Sequence, residues 1–171
     1  MRSLSVLLLG LAATALSASV PEQIPINDGP VHTTNSWSYT DCGLPTDAIQ
    51  IKSIQVSPDP PQPGKDLTVT VNGEAVEQIE DGAYADVVVK LGLIKLLTKR
   101  FDVCEEARNA NATVQCPVNK GEYTVVQTVA LPKEIPAAKF TVQVRGFTAG
   151  EDDMVCLDLK VDFMKRFPHL W

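Results

Sequence analysis

Apolar residues recur at every second position along most of this chain. Leu67, Val69 and Val71 alternate with Thr68 and Thr70, and Ala85, Val87, Val89 and Leu91 are opposed by Asp86 and Lys90. Tyr123, Val125, Val129 and Leu131 alternate with Glu122, Thr124 and Thr128. Phe140, Val142 and Val144 alternate with Thr141, Gln143 and Arg145, and Leu157, Leu159, Val161 and Phe163 with Asp158, Lys160 and Asp162. A period of two marks strands with one buried face, and no stretch carries a sustained 3.6-residue period between caps. Turn signals at Glu80-Asp81-Gly82 and Gly150-Glu151-Asp152 separate the strands. Residues 57–64 hold four prolines, which cannot donate to a ladder, so this run is a rigid connection. In residues 49–57 the apolar phase slips between Ile51 and Ile54, which predicts a bulge or kink, and Gly73 is expected to mark a bulge. About seven strands at this spacing predict an all-β, immunoglobulin-like antiparallel sandwich.

The two ends read differently. Met1-Arg2 is followed by an apolar run over residues 4–16 and by the small residues Ser17, Ala18 and Ser19. That is the layout of a secretory signal peptide over residues 1–19. Residues 20–35 carry three prolines and no periodicity, and are expected to be a flexible arm or propeptide. A single domain is expected over residues 36–171. The chain ends in an apolar segment with the basic pair Lys165-Arg166, which would either dock on a membrane or fold back on the sandwich.

A secretory start changes the meaning of Cys42, Cys104, Cys116 and Cys156. Four cysteines in an oxidising compartment read as disulfides, with three possible connectivities. Spacing favours Cys104–Cys116, closing a short polar loop, and so Cys42–Cys156, tying the first strand to the last. No C-x-x-C or neighbouring histidine points to a metal, and no motif calls for a cofactor. Asn111-Ala112-Thr113 in the short loop is a glycosylation sequon.

With a formal net charge of −6 and no basic stripe, nucleic acid is not an expected partner. Catalytic chemistry is also thinly provided. The two histidines, His32 and His169, lie outside the predicted strands, and no nucleophile elbow, zinc helix motif or phosphate-binding glycine loop occurs. The expected function is therefore binding rather than bond making.

Two segments break the alternation. Residues 91–101 set Leu91, Leu93, Ile94, Leu96, Leu97 and Phe101 among Lys95, Lys99 and Arg100. This is either a strand buried on both faces, an edge running into a loop, or an apolar lip flanked by cations that meets a membrane and an anionic headgroup. Leu131-Pro132-Lys133-Glu134-Ile135-Pro136 is an apolar loop stiffened by two prolines, and is either a pocket rim or an ordinary connection.

The order of several short motifs adds a resemblance. Cys116-Pro117-Val118-Asn119-Lys120-Gly121-Glu122-Tyr123 is followed by Leu131-Pro132, Ile135-Pro136, Lys139-Phe140-Thr141-Val142 and Cys156-Leu157, and preceded by Asp41-Cys42-Gly43 and the proline-rich turn. From about Ser36 to Phe163 this resembles the ML lipid-recognition domain, on the branch of the fungal phosphatidylglycerol/phosphatidylinositol transfer proteins, relatives of the lumenal Niemann–Pick type C sterol carrier. The resemblance implies splayed sheets enclosing an apolar lipid cavity, and the same two disulfide pairings. It places the cavity on Val69, Val71, Val87, Val89, Tyr123, Val125, Phe140, Val142, Val144, Leu157 and Leu159. The mouth falls on Leu93, Ile94, Leu96, Leu97, Leu131, Pro132 and Ile135, with Lys95, Lys99, Arg100 and Lys133 near a headgroup or membrane. The expected protein is a monomeric carrier of one phospholipid, touching membranes transiently, in the vacuole or lysosome lumen or secreted. A sterol carrier and a secreted protein- or glycolipid-recognition module are the alternatives.

Overall fold

The computed structural model describes residues 31–34 and 36–164. The expected signal peptide and the C-terminal basic segment lie outside the described residues, as does most of the expected arm. Nine strands and one helix follow in order: β1 Val31–Thr33, β2 Trp37–Asp41, β3 Ile49–Ser57, β4 Asp66–Ala75, β5 Tyr84–Leu91, β6 Ile94–Asp102, α1 Val103–Asn109, β7 Gly121–Ala130, β8 Lys139–Phe147 and β9 Asp153–Asp162. They form a six-stranded sheet, β1-β2-β9-β8-β5-β6, and a three-stranded sheet, β3-β4-β7. Every pairing is antiparallel.

The predicted phase slip is real. The β3–β4 register shifts between Ile51 and Ser53, leaving Lys52 as the extra residue and Gly73 opposite Ile51. A Cβ on Gly73 would stand 2.9 Å from the Gln50 carbonyl oxygen, so the residue facing this bulge must be glycine. Residues 31–33, placed by the sequence reading in an irregular arm, instead extend the larger sheet by pairing with β2. The helix was not foreseen either. At seven residues it is too short to display a period, and its signal is the cap: Asp102 accepts a hydrogen bond from the Glu105 backbone N–H at 2.8 Å.

Two packed clusters hold the sheets. One joins Ala48, Ile79, Ala83, Cys104 and Met154 at the end of the sandwich where α1 sits. The other joins Trp37, Tyr39, Ile54 and Leu157, with Ile51, Val56, Val69, Val71, Val144, Leu159 and Val161 against it. The second lies where β3 faces β9, the place at which the two sheets come closest. The disulfides Cys42–Cys156 and Cys104–Cys116 span 114 and 12 residues. In the chain-entropy account these closures stabilise by nearly 5 and about 3 kcal/mol.

Candidate functional site

Register fixes which side chains face the space between the sheets. Val87 pairs with Val144, Val89 with Val142 and Leu91 with Phe140. Val142 and Val144 pair in turn with Leu159 and Leu157. Directly opposed residues share a face, so these form one interior apolar surface. In the smaller sheet, Leu67, Val69 and Val71 stand opposite Val129, Gln127 and Val125.

That surface is filled unevenly. Leu157 is buried, and Val69, Val71, Val144 and Leu159 pack against it and its neighbours. Val87, Val89, Val125, Phe140, Val142 and Tyr123 belong to neither packed cluster and remain half-buried, although β5 and β8 are internal strands of their sheet. The interior therefore has the form of a wedge, packed along β2, β9 and β3 and apolar but only half-buried along much of β5, β8 and β7. Protein interiors normally close to crystal-like density, so an apolar wall left half-open is an invitation to an apolar guest.

The open end of the wedge follows from the same register. Leu91 ends β5 opposite Phe140, the second residue of β8, so the β5–β6 hairpin and the loop of residues 131–138 share one end of the sandwich. Gly92 occupies the first turn position with φ +57°, as the two-residue Gly-X hairpin requires. Leu93 is fully exposed, and Ile94, Leu96 and Leu97 are 65%, 52% and 45% exposed. A strand buried on both faces is thus excluded: β6 is an edge strand with an apolar tip. Across the end, Leu131 and Ile135 are half-buried and Pro132 exposed. The proline-rich turn braces this rim, its Gly64 N–H donating to the carbonyls of Leu131 at 3.0 Å and Pro132 at 3.2 Å.

The cations divide by face. The β5–β6 register shifts between Val89 and Lys90, so that Leu96 is the unpaired residue, and Leu97, Lys99 and Phe101 face inward opposite Val89, Val87 and Ala85. Lys99 Nζ lies 4.2 Å from the centroid of the Phe101 ring. Lys95 faces outward opposite Lys90, two like charges with no acidic partner among the described residues. Arg100 also faces outward but is engaged. It forms a bidentate pair with Asp86 at 2.7 Å and lies over the Tyr84 ring, and this hydrogen-bonded pairing holds the Asp86 carboxyl below its usual range. Lys133 is exposed beside Gly64. Sequence reasoning missed Gln127, Phe101 and Lys90. The first two follow from strand parity once the bulges are known, and Lys90 from its partner.

At the other end, Asp81 lies beside the sulfurs of Cys104 and Cys116, but these are joined to each other and cannot serve as thiolate ligands. Asn111 is exposed, in a left-handed conformation at φ 49°, just beyond α1.

Residues 36–163 match the ML domain family. The chain belongs to that family. A curated relative from Cryptococcus neoformans var. neoformans serotype D, named phosphatidylglycerol/phosphatidylinositol transfer protein, is 72% identical over 139 residues, covering 81% of this chain and 77% of the relative. Among solved structures, chicken MD-1 complexed with lipid IVa superposes with a TM-score of 0.56 at 14% identity, covering 78% of this chain and 97% of that one. A Niemann-Pick type C2 protein from the Japanese carpenter ant gives 0.54 at 15% identity, covering 71% and 96%. At such identities these two speak for the fold alone. Within this ML domain, two closed disulfides are the chemistry of an oxidising, secreted or lumenal setting.

Proposed function

We propose that this ML domain carries one phospholipid, of the phosphatidylglycerol or phosphatidylinositol kind, and exchanges it between membranes without making or breaking bonds. The observation that carries the reading is the apolar wall of Val87, Val89, Val125, Phe140 and Val142, which stands outside both packed clusters. Acyl chains left in water cost about 0.8 kcal/mol per CH₂, and this wall would shield them. The name borne by the 72%-identical relative supports the lipid class. The exposed Leu93, Ile94, Leu96 and Leu97 tip would enter the membrane surface, with Lys90 and Lys95 on its outer flank. Lys99 would face the headgroup from inside the mouth, while Arg100, already paired with Asp86, is left out of this role. One lipid per monomer, glycosylation at Asn111, and action in the vacuole or lysosome lumen or outside the cell complete the proposal.

Native mass spectrometry of the purified protein after incubation with mixed-lipid vesicles tests it. The expected result is a one-to-one phospholipid adduct. A sterol adduct would transfer the same wall to a sterol carrier. Bare protein across all lipid classes would overturn the carrier reading in favour of a recognition module.

A further inference from the structure

One buried donor in this interior lacks an acceptor. Trp37 opens β2 opposite Val161 and packs with Tyr39, Ile54 and Leu157, its ring 5.8 Å from that of Tyr39. It is only 6% exposed, yet its Nε1–H has no hydrogen-bond partner among the described residues. An indole N–H can only donate, and leaving such a group buried and unmet costs about 1–3 kcal/mol. Native interiors satisfy nearly all such groups, so an exception calls for a cause. A phenylalanine would supply similar apolar packing without the orphan.

The position of the orphan supplies the cause. Trp37, Val161, Phe140 and Leu91 lie on one rung across the larger sheet, and the rung ends at Ile94 in the apolar hairpin tip. Trp37, Phe140 and Val161 also border a recess of about 380 Å³ whose other walls are mostly polar and include Ser38, Lys160 and Thr141 of the outward-facing rung. Along the strands the orphan therefore stands at the same height as the apolar hairpin tip, the level at which a lipid whose chains run inward keeps its polar groups. We propose that the Trp37 Nε1–H donates a hydrogen bond to an acceptor oxygen at the polar end of the bound lipid, either an ester carbonyl or a phosphodiester oxygen. Trp37 then selects lipids that bring an acceptor to this depth. The inference rests on the carrier reading and narrows it to a named atom.

The chain has two tryptophans, so its indole N–H signals are readily assigned with the variant Trp171→Phe. The ¹⁵N-labelled protein is loaded from vesicles containing dioleoylphosphatidylglycerol, its diether analogue or dioleoylglycerol, and loading is read by native mass spectrometry. The expected result is a downfield shift of the Trp37 indole proton on loading with the phosphatidylglycerol. Retention of the shift with the diether assigns the phosphate oxygen, and retention with the diacylglycerol assigns the ester carbonyl. Trp37→Phe is expected to weaken phosphatidylglycerol binding by about tenfold. A loaded protein with an unmoved Trp37 signal, or a folded Trp37→Phe variant of unchanged affinity, would overturn the inference and leave the carrier standing. Failure to load any of the three lipids would overturn both. The spectrum of the unaltered side chain decides the matter even if the phenylalanine variant does not fold.

Discussion

Gly146 has no room for a methyl group. A Cβ there would stand 2.7 Å from Val155 Cγ1 and 2.9 Å from Met154 Cε, and Met154 belongs to the buried cluster at the closed end. Overpacking of this kind costs about 1–3 kcal/mol, and a domain of this size loses roughly 4 °C of melting temperature per kcal/mol. Gly146→Ala is therefore expected to lower the thermal midpoint by about 4–12 °C while leaving lipid loading unchanged at the opposite end. An unaltered melting curve would show that Val155 and Met154 yield at no cost. At this scale the sequence was legible wherever alternation ran uninterrupted: Val87, Val89, Val142 and Val144 all face inward. It could not assign a face to Lys99, because the unpaired Leu96 moves the interior positions from Ile94 to Leu97 and so reverses their parity. A single bulge decides the faces of every residue that follows it.

Among the elements, the β5–β6 hairpin combines features that a soluble protein usually avoids. Its tip exposes four large aliphatic residues, and Lys90 and Lys95 sit directly opposite each other, a destabilising arrangement in an isolated ladder. An anionic membrane surface would compensate for both, since it would accept the aliphatic tip and attract each lysine by about 1 kcal/mol. Lys95→Glu with Lys99→Glu is expected to slow transfer from anionic vesicles by at least about tenfold, with a smaller effect on neutral ones. Raising the salt should shrink the difference, because exposed charges are screened. Equal slowing from both kinds of vesicle would remove electrostatics from the docking step. The broken alternation over residues 91–101 marked this hairpin in the sequence, but its edge position depends on long-range pairing that no local pattern encodes. Strand β1 and the helix escaped for a related reason: three and seven residues are too few to show a period.

Taken whole, the molecule is a sandwich packed on one side and only half-buried along the apolar wall of the other. The packed cluster around β3 and β9 and the α1 end with its Cys104–Cys116 bridge hold the sheets together, Cys42–Cys156 ties the end of β2 to β9 within the larger sheet, and Val87, Val89, Val125, Phe140 and Val142 stand outside both packed clusters. This separates folding from cargo. A chain that needed Val142 for its core would lose stability when that residue became charged, because an unpaired buried carboxylate costs several kcal/mol. Here Val142 is half-buried outside the packed clusters, so in the empty protein a carboxylate at this position keeps access to water. In the loaded protein it would lie against acyl chains, and the same penalty would fall on binding. Val142→Asp is accordingly expected to fold with both disulfides formed, as judged by mass and by the absence of free thiols, and to show no phospholipid adduct in native mass spectrometry. A folded variant that loads normally would mean that the chains lie elsewhere. A variant that fails to oxidise and fold would mean that this wall belongs to the core, and the open wedge would have to be abandoned with it.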